Sequence, residues 1–341
     1  MPSEDLLKVL GNYKIEVLNI KNENYKVKKG VWWIQTSTGQ KILKKNSISK
    51  DRMNFIIAAI EYLCSRGINM PGIIESRKGE KYVEVDGANY LLNEAIKGRA
   101  PSSKTKEGLE KIIKELAKFH AASRGFQPPA DCKPNILLGT WYDKSSKKMK
   151  KLEEYYEQEK NKSSHNEFEN MILKEFPGFR RKMESALSND NHLLYDRWVD
   201  EIQKTTCLVH QDFIDGNLIM TDRGKIYVLD PDSLAIEIPT KDIRKFLNKI
   251  MKKRGEWDLK LTVDILKWYQ EVNPLETWQW QVLKSTMMYP HLFAGIMSKY
   301  YQKREETWTE SKYVNKLKNI IVIENSKDYI IENFEQIIAS L

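Results

Sequence analysis

The chain has 341 residues, 41% of them hydrophobic and 30% charged, with a formal net charge of +9. That length can bury two substantial cores, and no run approaches the ~18 consecutive apolar residues of a transmembrane helix. The excess of lysine would suit a polyanion or nucleotide phosphates, but it is spread along the chain and no nucleic-acid-binding module accompanies it, so a solvated basic surface accounts for it and nucleic acid is not expected as a partner.

The first residues carry acids and lack a basic-then-apolar signal pattern, so the chain is expected to stay inside the cell that makes it. Cys64, Cys132 and Cys207 are far apart and show no metal-ligand spacing, which predicts reduced thiols. Leu6, Leu7 and Leu10 have helical spacing, and Ile15, Val17 and Leu18 lead into strands. Tyr25-Lys26-Val27, residues 30–36 and Lys41-Ile42-Leu43-Lys44, with a turn at Ser37-Thr38-Gly39, predict antiparallel hairpins rich in β-branched and aromatic side chains. Phe55, Ile56, Ala59, Ile60 and Leu63 predict a helix over 53–66, closed by Gly67. Residues 81–85 and 89–95, around Asp86-Gly87, predict a second hairpin.

Residues 106–123 carry an apolar stripe that ends in His120, which reads as a structural core residue. A loop-rich stretch follows, and then helices are predicted over 143–162, 167–187 and 191–204, the second interrupted or kinked at Phe176-Pro177-Gly178. Helices near 258–271 and 277–303 are rich in Trp and Tyr, which are expected in the core. An amphipathic helix pair over 311–341 ends the chain.

The chemistry is concentrated in residues 207–232, CLVHQDFIDGNLIMTDRGKIYVLDPD. Apolar runs at Cys207-Leu208-Val209 and Lys225-Ile226-Tyr227-Val228-Leu229 flank a polar loop and a turn at Thr221-Asp222-Arg223-Gly224, predicting strand, loop, short strand, turn and strand. The loop supplies His210, Asp212 and Asn217, and the last strand delivers Asp230 and Asp232 at its end. Taken singly, each of these could merely cap a turn. Together they provide what phosphoryl transfer needs: an acceptor for a hydroxyl proton and hard oxygen ligands for Mg²⁺.

The segment HQDFIDGN stands where aminoglycoside phosphotransferases and choline kinases carry His-Gly-Asp-x-x-x-x-Asn, and within that branch the whole chain resembles the bacterial spore-coat CotS family. The resemblance implies an α+β, bilobal, protein-kinase-like fold. A small antiparallel-sheet N-lobe with one helix would span residues 1–93, and a large, mostly helical C-lobe residues 94–341. ATP and Mg²⁺ are the implied cofactors. Asp212 would be the catalytic Asp, with Asn217 and Asp230 as metal ligands and His210 as a brace for the loop. Asp232 matches the second acidic residue of small-molecule kinases, and Asp242, after Pro239, would brace the catalytic loop. Lys44 is the candidate phosphate lysine, with a surface lysine beside Lys45 as the other reading. Backbone groups at the hinge (Asn93, Glu94 and Ala95) would meet the adenine. Lysines and tyrosines within 143–204 either line an acceptor pocket or form a solvated helix face.

The sequence departs from the family pattern in three places. Gln211 replaces a Gly. Gly30 is the lone glycine of a phosphate loop crowded by Lys28, Lys29, Trp32 and Trp33. The helix Glu that would pair with Lys44 falls near Ile56, so either Glu61 substitutes from a shifted helix or the pair is absent. Two functions therefore stand: a phosphotransferase acting on a small hydroxylated or amino acceptor, or a catalytically weak or inactive structural component of the coat. Either way the resemblance implies a spore-coat location reached from the mother-cell cytoplasm, with other coat proteins as partners and no membrane.

Overall fold

The computed structural model describes residues 6–26 and 29–341. Val27 of the first predicted strand and Lys28 of the crowded loop lie outside them. In chain order the elements begin with α1 (Leu6–Leu10), β1 (Val17–Lys26), β2 (Lys29–Thr36), β3 (Gly39–Asn46), α2 (Lys50–Ser65), β4 (Val83–Val85) and β5 (Ala88–Glu94). They continue with α3 (Lys106–Ser123), α4 (Trp141–Lys160), α5 (Glu167–Ala186), α6 (Asn189–Thr205), β6 (Leu208–Val209), β7 (Leu218–Met220), β8 (Ile226–Val228) and β9 (Ala235–Ile236). The last are α7 (Thr240–Arg254), α8 (Leu259–Gln270), α9 (Thr277–Met288), α10 (His291–Tyr301), α11 (Glu310–Glu332) and α12 (Phe334–Ala339). The chain folds into two compact units, neither of them a continuous stretch. The first holds the chain up to Ser102, Phe126–Asn135 and Ile214–Leu234, and the second holds Ser103–Gly125, Ile136–Phe213 and Ala235–Leu341.

The first unit is built on a five-stranded antiparallel sheet in the order β1-β2-β3-β5-β4. Side chains alternate across a strand. In β2, Gly30, Trp32, Ile34 and Thr36 are buried while Val31, Trp33 and Gln35 stand on the other face. In β3 the same alternation puts Leu43 in the core and Ile42 and Lys44 opposite it. Val9, Tyr13, Trp32, Ile34, Leu43, Tyr90 and Leu92 form the core of this unit. Gly39 closes the β2–β3 turn at φ +115°, where a side chain would be strained. Helix α2 begins three residues before its apolar stripe, because Ser49 caps it by accepting the Arg52 N–H at 3.3 Å. The β7–β8 hairpin joins this unit through Asn69, whose carbonyl accepts the Val228 N–H at 2.8 Å.

The second unit is mostly helical, with β6 and β9 pairing as a short antiparallel ladder. Leu152, Phe168, Ile172, Phe176, Met183, Phe293, Met297 and Leu317 belong to one of its core clusters. Helix α5 runs through Pro177 without interruption. The helix predicted over 277–303 is instead two, α9 and α10, divided at Tyr289-Pro290. Tyr289 is extended there (φ −61°, ψ 124°), as a residue before proline is biased to be, and Pro290 has no N–H to continue the ladder. Trp257, Trp268, Trp280 and Tyr289 are buried, as their spacing suggested, whereas Trp278, Tyr300 and Tyr301, expected in the core as well, are half-buried. The three cysteines are free thiols, Cys207 buried and Cys64 exposed.

Candidate active site

In the first unit a cavity of about 200 Å³ lies against the β2–β3 hairpin and α2. Trp33, Ile42, Ile56, Met70 and Leu229 give it apolar walls, and Lys44, Asn46, Asp230 and Asp232 line it with polar groups. The strand alternation settles which lysine belongs there: Lys44 lies on the cavity face with Ile42. Its ammonium is 2.9 Å from Asp230 Oδ1, and both side chains keep solvent contact, at 22% and 49% exposure. Lys29 Nζ stands 3.2 Å from Asp232 Oδ2, and the Asn46 amide reaches Asp232 Oδ1 at 3.5 Å.

Asp230 follows β8 in the left-handed conformation, φ 57° and ψ 57°, which Asp tolerates better than most residues. The Asn217 carbonyl accepts the Leu229 N–H at 2.9 Å, so Asn217 is held across the hairpin next to Asp230. The carboxylates of Asp230 and Asp232 at this cavity are hard oxygen donors, the kind Mg²⁺ prefers. Among the described residues no group of three or more His, Cys, Asp or Glu is arranged to hold a metal alone.

Gly30 does not open a path for phosphate from the face where its side chain would stand. A Cβ there would fall on the Trp32 indole, which packs over it on the buried side of the sheet. The Glu–Lys pair is also absent among the described residues. Ile56 faces the cavity where a Glu was expected, Glu61 pairs with Lys81, and Lys44 pairs with Asp230. A different residue joins α2 to the loop after Asp230. Arg52, lying over the Phe55 ring at 4.8 Å, donates to the carbonyls of Asp232 and Leu234 at 3.1 and 2.6 Å.

Where the hinge was expected, Asn93 donates to the carbonyls of Pro71 and Gly72, both at 3.4 Å. The Glu94 and Ala95 N–H groups are already given to Gly72 and Gln40, at 2.9 and 3.2 Å. A base seated here would have to be met by other backbone groups, and Ile96 lines the cavity beside them. The Glu94 carboxylate pairs with the buried Lys41 directly across the strands, at 2.6 Å.

The second unit carries the loop from His210 to Phe213. Asp242, 2% exposed, accepts the His210 N–H at 2.6 Å and the Gln211 N–H at 2.8 Å, and His120 Nε2 lies 3.3 Å away. Burial alone would push the Asp242 carboxyl up, but the hydrogen bond from His120, the imidazole charges and the amide donors hold it below the ordinary range. His120 also meets the Tyr269 hydroxyl at 2.8 Å, which makes it part of the brace. His210 is fully buried between the Phe119 and Phe213 rings, and its Nδ1 accepts the Asp212 N–H at 3.4 Å. Gln211 sits at φ +71°, the backbone reason why a Gly suits this position. Asp212 projects outward with the Lys249 ammonium 3.6 Å from its Oδ1.

The chain is similar to spore coat protein S of Bacillus subtilis, with 27% identity over 329 residues covering 96% of this chain and 93% of that protein. Among solved structures it resembles an aminoglycoside phosphotransferase from Alicyclobacillus acidocaldarius, with a TM-score of 0.81, 15% identity, and coverage of 98% and 96%. It also resembles spectinomycin phosphotransferase in complex with ADP and spectinomycin, with a TM-score of 0.63, 14% identity, and coverage of 98% and 100%. At those identities the structural likeness shows the fold, which is the α+β fold of the aminoglycoside phosphotransferases: a small antiparallel sheet in the N-terminal part and helices in the C-terminal part. No helix of the described residues is long and apolar enough to cross a membrane. The family model described as "Spore coat putative kinase YutH" matches residues 12–334, and the chain belongs to that family.

Proposed function

We propose that the protein is an ATP- and Mg²⁺-dependent phosphotransferase of the spore coat, acting on a hydroxyl of a small acceptor. The observation that carries this reading is the Lys44–Asp230 pair at the apolar cavity, with Asn217 held beside Asp230 across the hairpin. Asp230 and Asn217 would hold the ion, whose charge would offset that on the phosphate oxygens. Lys44 would exchange Asp230 for phosphate oxygens. In the second unit, Asp212 would orient the acceptor hydroxyl and take its proton. The acceptor oxygen bonds to the γ-phosphorus as the bond to the β,γ-bridging oxygen breaks, and ADP leaves. Asp242 and His210 keep the Asp212 loop rigid. Solved relatives with the same fold bind ADP or phosphorylate small molecules, and the matched relatives are coat proteins, which supports both halves of the reading.

A second reading, a catalytically weak or inactive coat component assembled from the mother-cell cytoplasm with other coat proteins, draws on two observations. Trp32 fills the space over Gly30, and Ile56 stands where a Glu would hold Lys44. Calorimetry of MgATP on wild type and Asp230→Ala separates the two. Binding at or below ~100 μM, about 5.5 kcal/mol, that Asp230→Ala removes is the outcome expected of an enzyme. An acceptor screen with Asp212→Ala as its blank would follow. No detectable binding at millimolar MgATP would overturn the catalytic reading.

A further inference from the structure

We infer that the acceptor is a hydroxylated anion, a sugar acid or sugar phosphate, held by the lysines of α7 beside Asp212. The inference rests on the phosphotransferase reading above and names the substrate class for it. Lys241, Lys245 and Lys249 recur every fourth residue, so they share one face of α7 at about 6 Å per step along the helix axis. The stripe runs along the catalytic loop. Lys249 lies 3.6 Å from Asp212 Oδ1, Lys245 donates to the Gln211 carbonyl, and Lys241 lies 3.7 Å from Glu237 Oε2. Arg244 is buried among them, and Lys144 of α4 adds its field to Lys241 and Glu237.

The carboxylates that face these cations are Asp212, Asp242, Glu237 and, toward Arg244, Glu324, which is itself paired with Lys327. Asp242 is committed to the loop amides and His120. Glu237 is 2% exposed, and burial pushes its carboxyl up to about 7, so near neutrality much of it carries no charge. Burial holds Lys241 and Lys245 below the ordinary lysine range; Glu237 and Asp242 pull them back up, and Arg244 beside both lowers them again. An incoming anion would relieve that repulsion, whereas a polycationic acceptor would add to it.

The test uses the full chain without nucleotide and measures binding of glucuronate, glucose 6-phosphate, neutral glucose and kanamycin by calorimetry. At least one of the two anions should bind tenfold or more tightly than glucose, with kanamycin silent. The two anion arms distinguish carboxylate from phosphate recognition. Binding should weaken as pH rises, because the anion prefers the protonated lysines. Lys245→Glu with Lys249→Glu should lose the anion by at least tenfold while MgATP binding persists. The milder Lys245→Gln with Lys249→Gln, checked by thermal melting, covers the case in which charge reversal unfolds the unit. Equal binding of glucose, preference for kanamycin, or loss of MgATP in place of the anion would overturn the inference. If MgATP never binds but the anion preference holds, the phosphotransferase reading fails and the anion site stands.

Discussion

The two units keep their charged groups in opposite states. In the first, Lys44, Asp230, Lys29 and Asp232 pair in a half-open cleft, each with water close by. In the second, Asp242, His120 and His210 are sealed from solvent, with Asp242 bound to backbone amides and His120, and His120 bound also to the Tyr269 hydroxyl. The difference matches the roles proposed for the two sets. Groups that exchange partners with a ligand must not depend on a single partner, and solvent keeps the cost of exchange low. Groups that hold a loop in one shape gain from burial, where a lost bond is costly and alternatives are excluded.

The largest expected effect tests the sealed set. Asp242→Ala removes the acceptor for the His210 and Gln211 amides and the partner of His120. Breaking such a buried set costs on the order of 3–5 kcal/mol, and thermal melting should register a fall of several degrees. A loss under about 1 kcal/mol would mean that the loop is held by something else. Second in size is Glu237, whose carboxyl is raised from 4.5 to about 7 by burial. Its folded form prefers the proton, so its favourable contribution is complete below pH 4.5 and is lost as pH climbs through 7. Glu237→Gln stays neutral. It should match wild type in melts at pH 4 and exceed it at pH 8 by up to about 3 kcal/mol. Equal stability at both pH values would show that Glu237 ionises freely.

Much of this was legible in the chain because it is local. The order of strand, loop and turn across 207–232, the Asp86-Gly87 hairpin and the α3 stripe follow from spacing and turn chemistry within a dozen or so residues. The division between α9 and α10 was equally local but was missed: a single helix was expected over 277–303, although Pro290 stands in the sequence where the break occurs. What could not be read depends on register between distant strands. The Lys41–Glu94 pair needs the β3–β5 alignment. Arg52 offered no signal at all, because its partners are backbone carbonyls more than 150 residues away.

A smaller effect is expected at Gln211. At φ +71° a side chain is strained by roughly 1 kcal/mol, which a glycine would relieve while making the unfolded chain more flexible. Gln211→Gly should therefore gain less than about 1 kcal/mol in a denaturant melt, and Gln211→Val should lose more than that. If valine is tolerated as well as glycine, the loop relaxes freely and is not rigid in the way the Asp242 network requires.

The smallest stability effect should fall in the open cleft, and it bears most directly on what the protein does. Lys44→Met breaks the pair with Asp230, but the exposure of both partners limits the cost to under about 1 kcal/mol. MgATP affinity, if the phosphotransferase reading holds, should drop at least tenfold, because the ammonium's work is then on phosphate and not on the fold. The opposite result is equally informative. A fall in stability above about 2 kcal/mol with no nucleotide binding to lose would make the pair a structural clasp, and the cleft would then be a retained shape in a coat component.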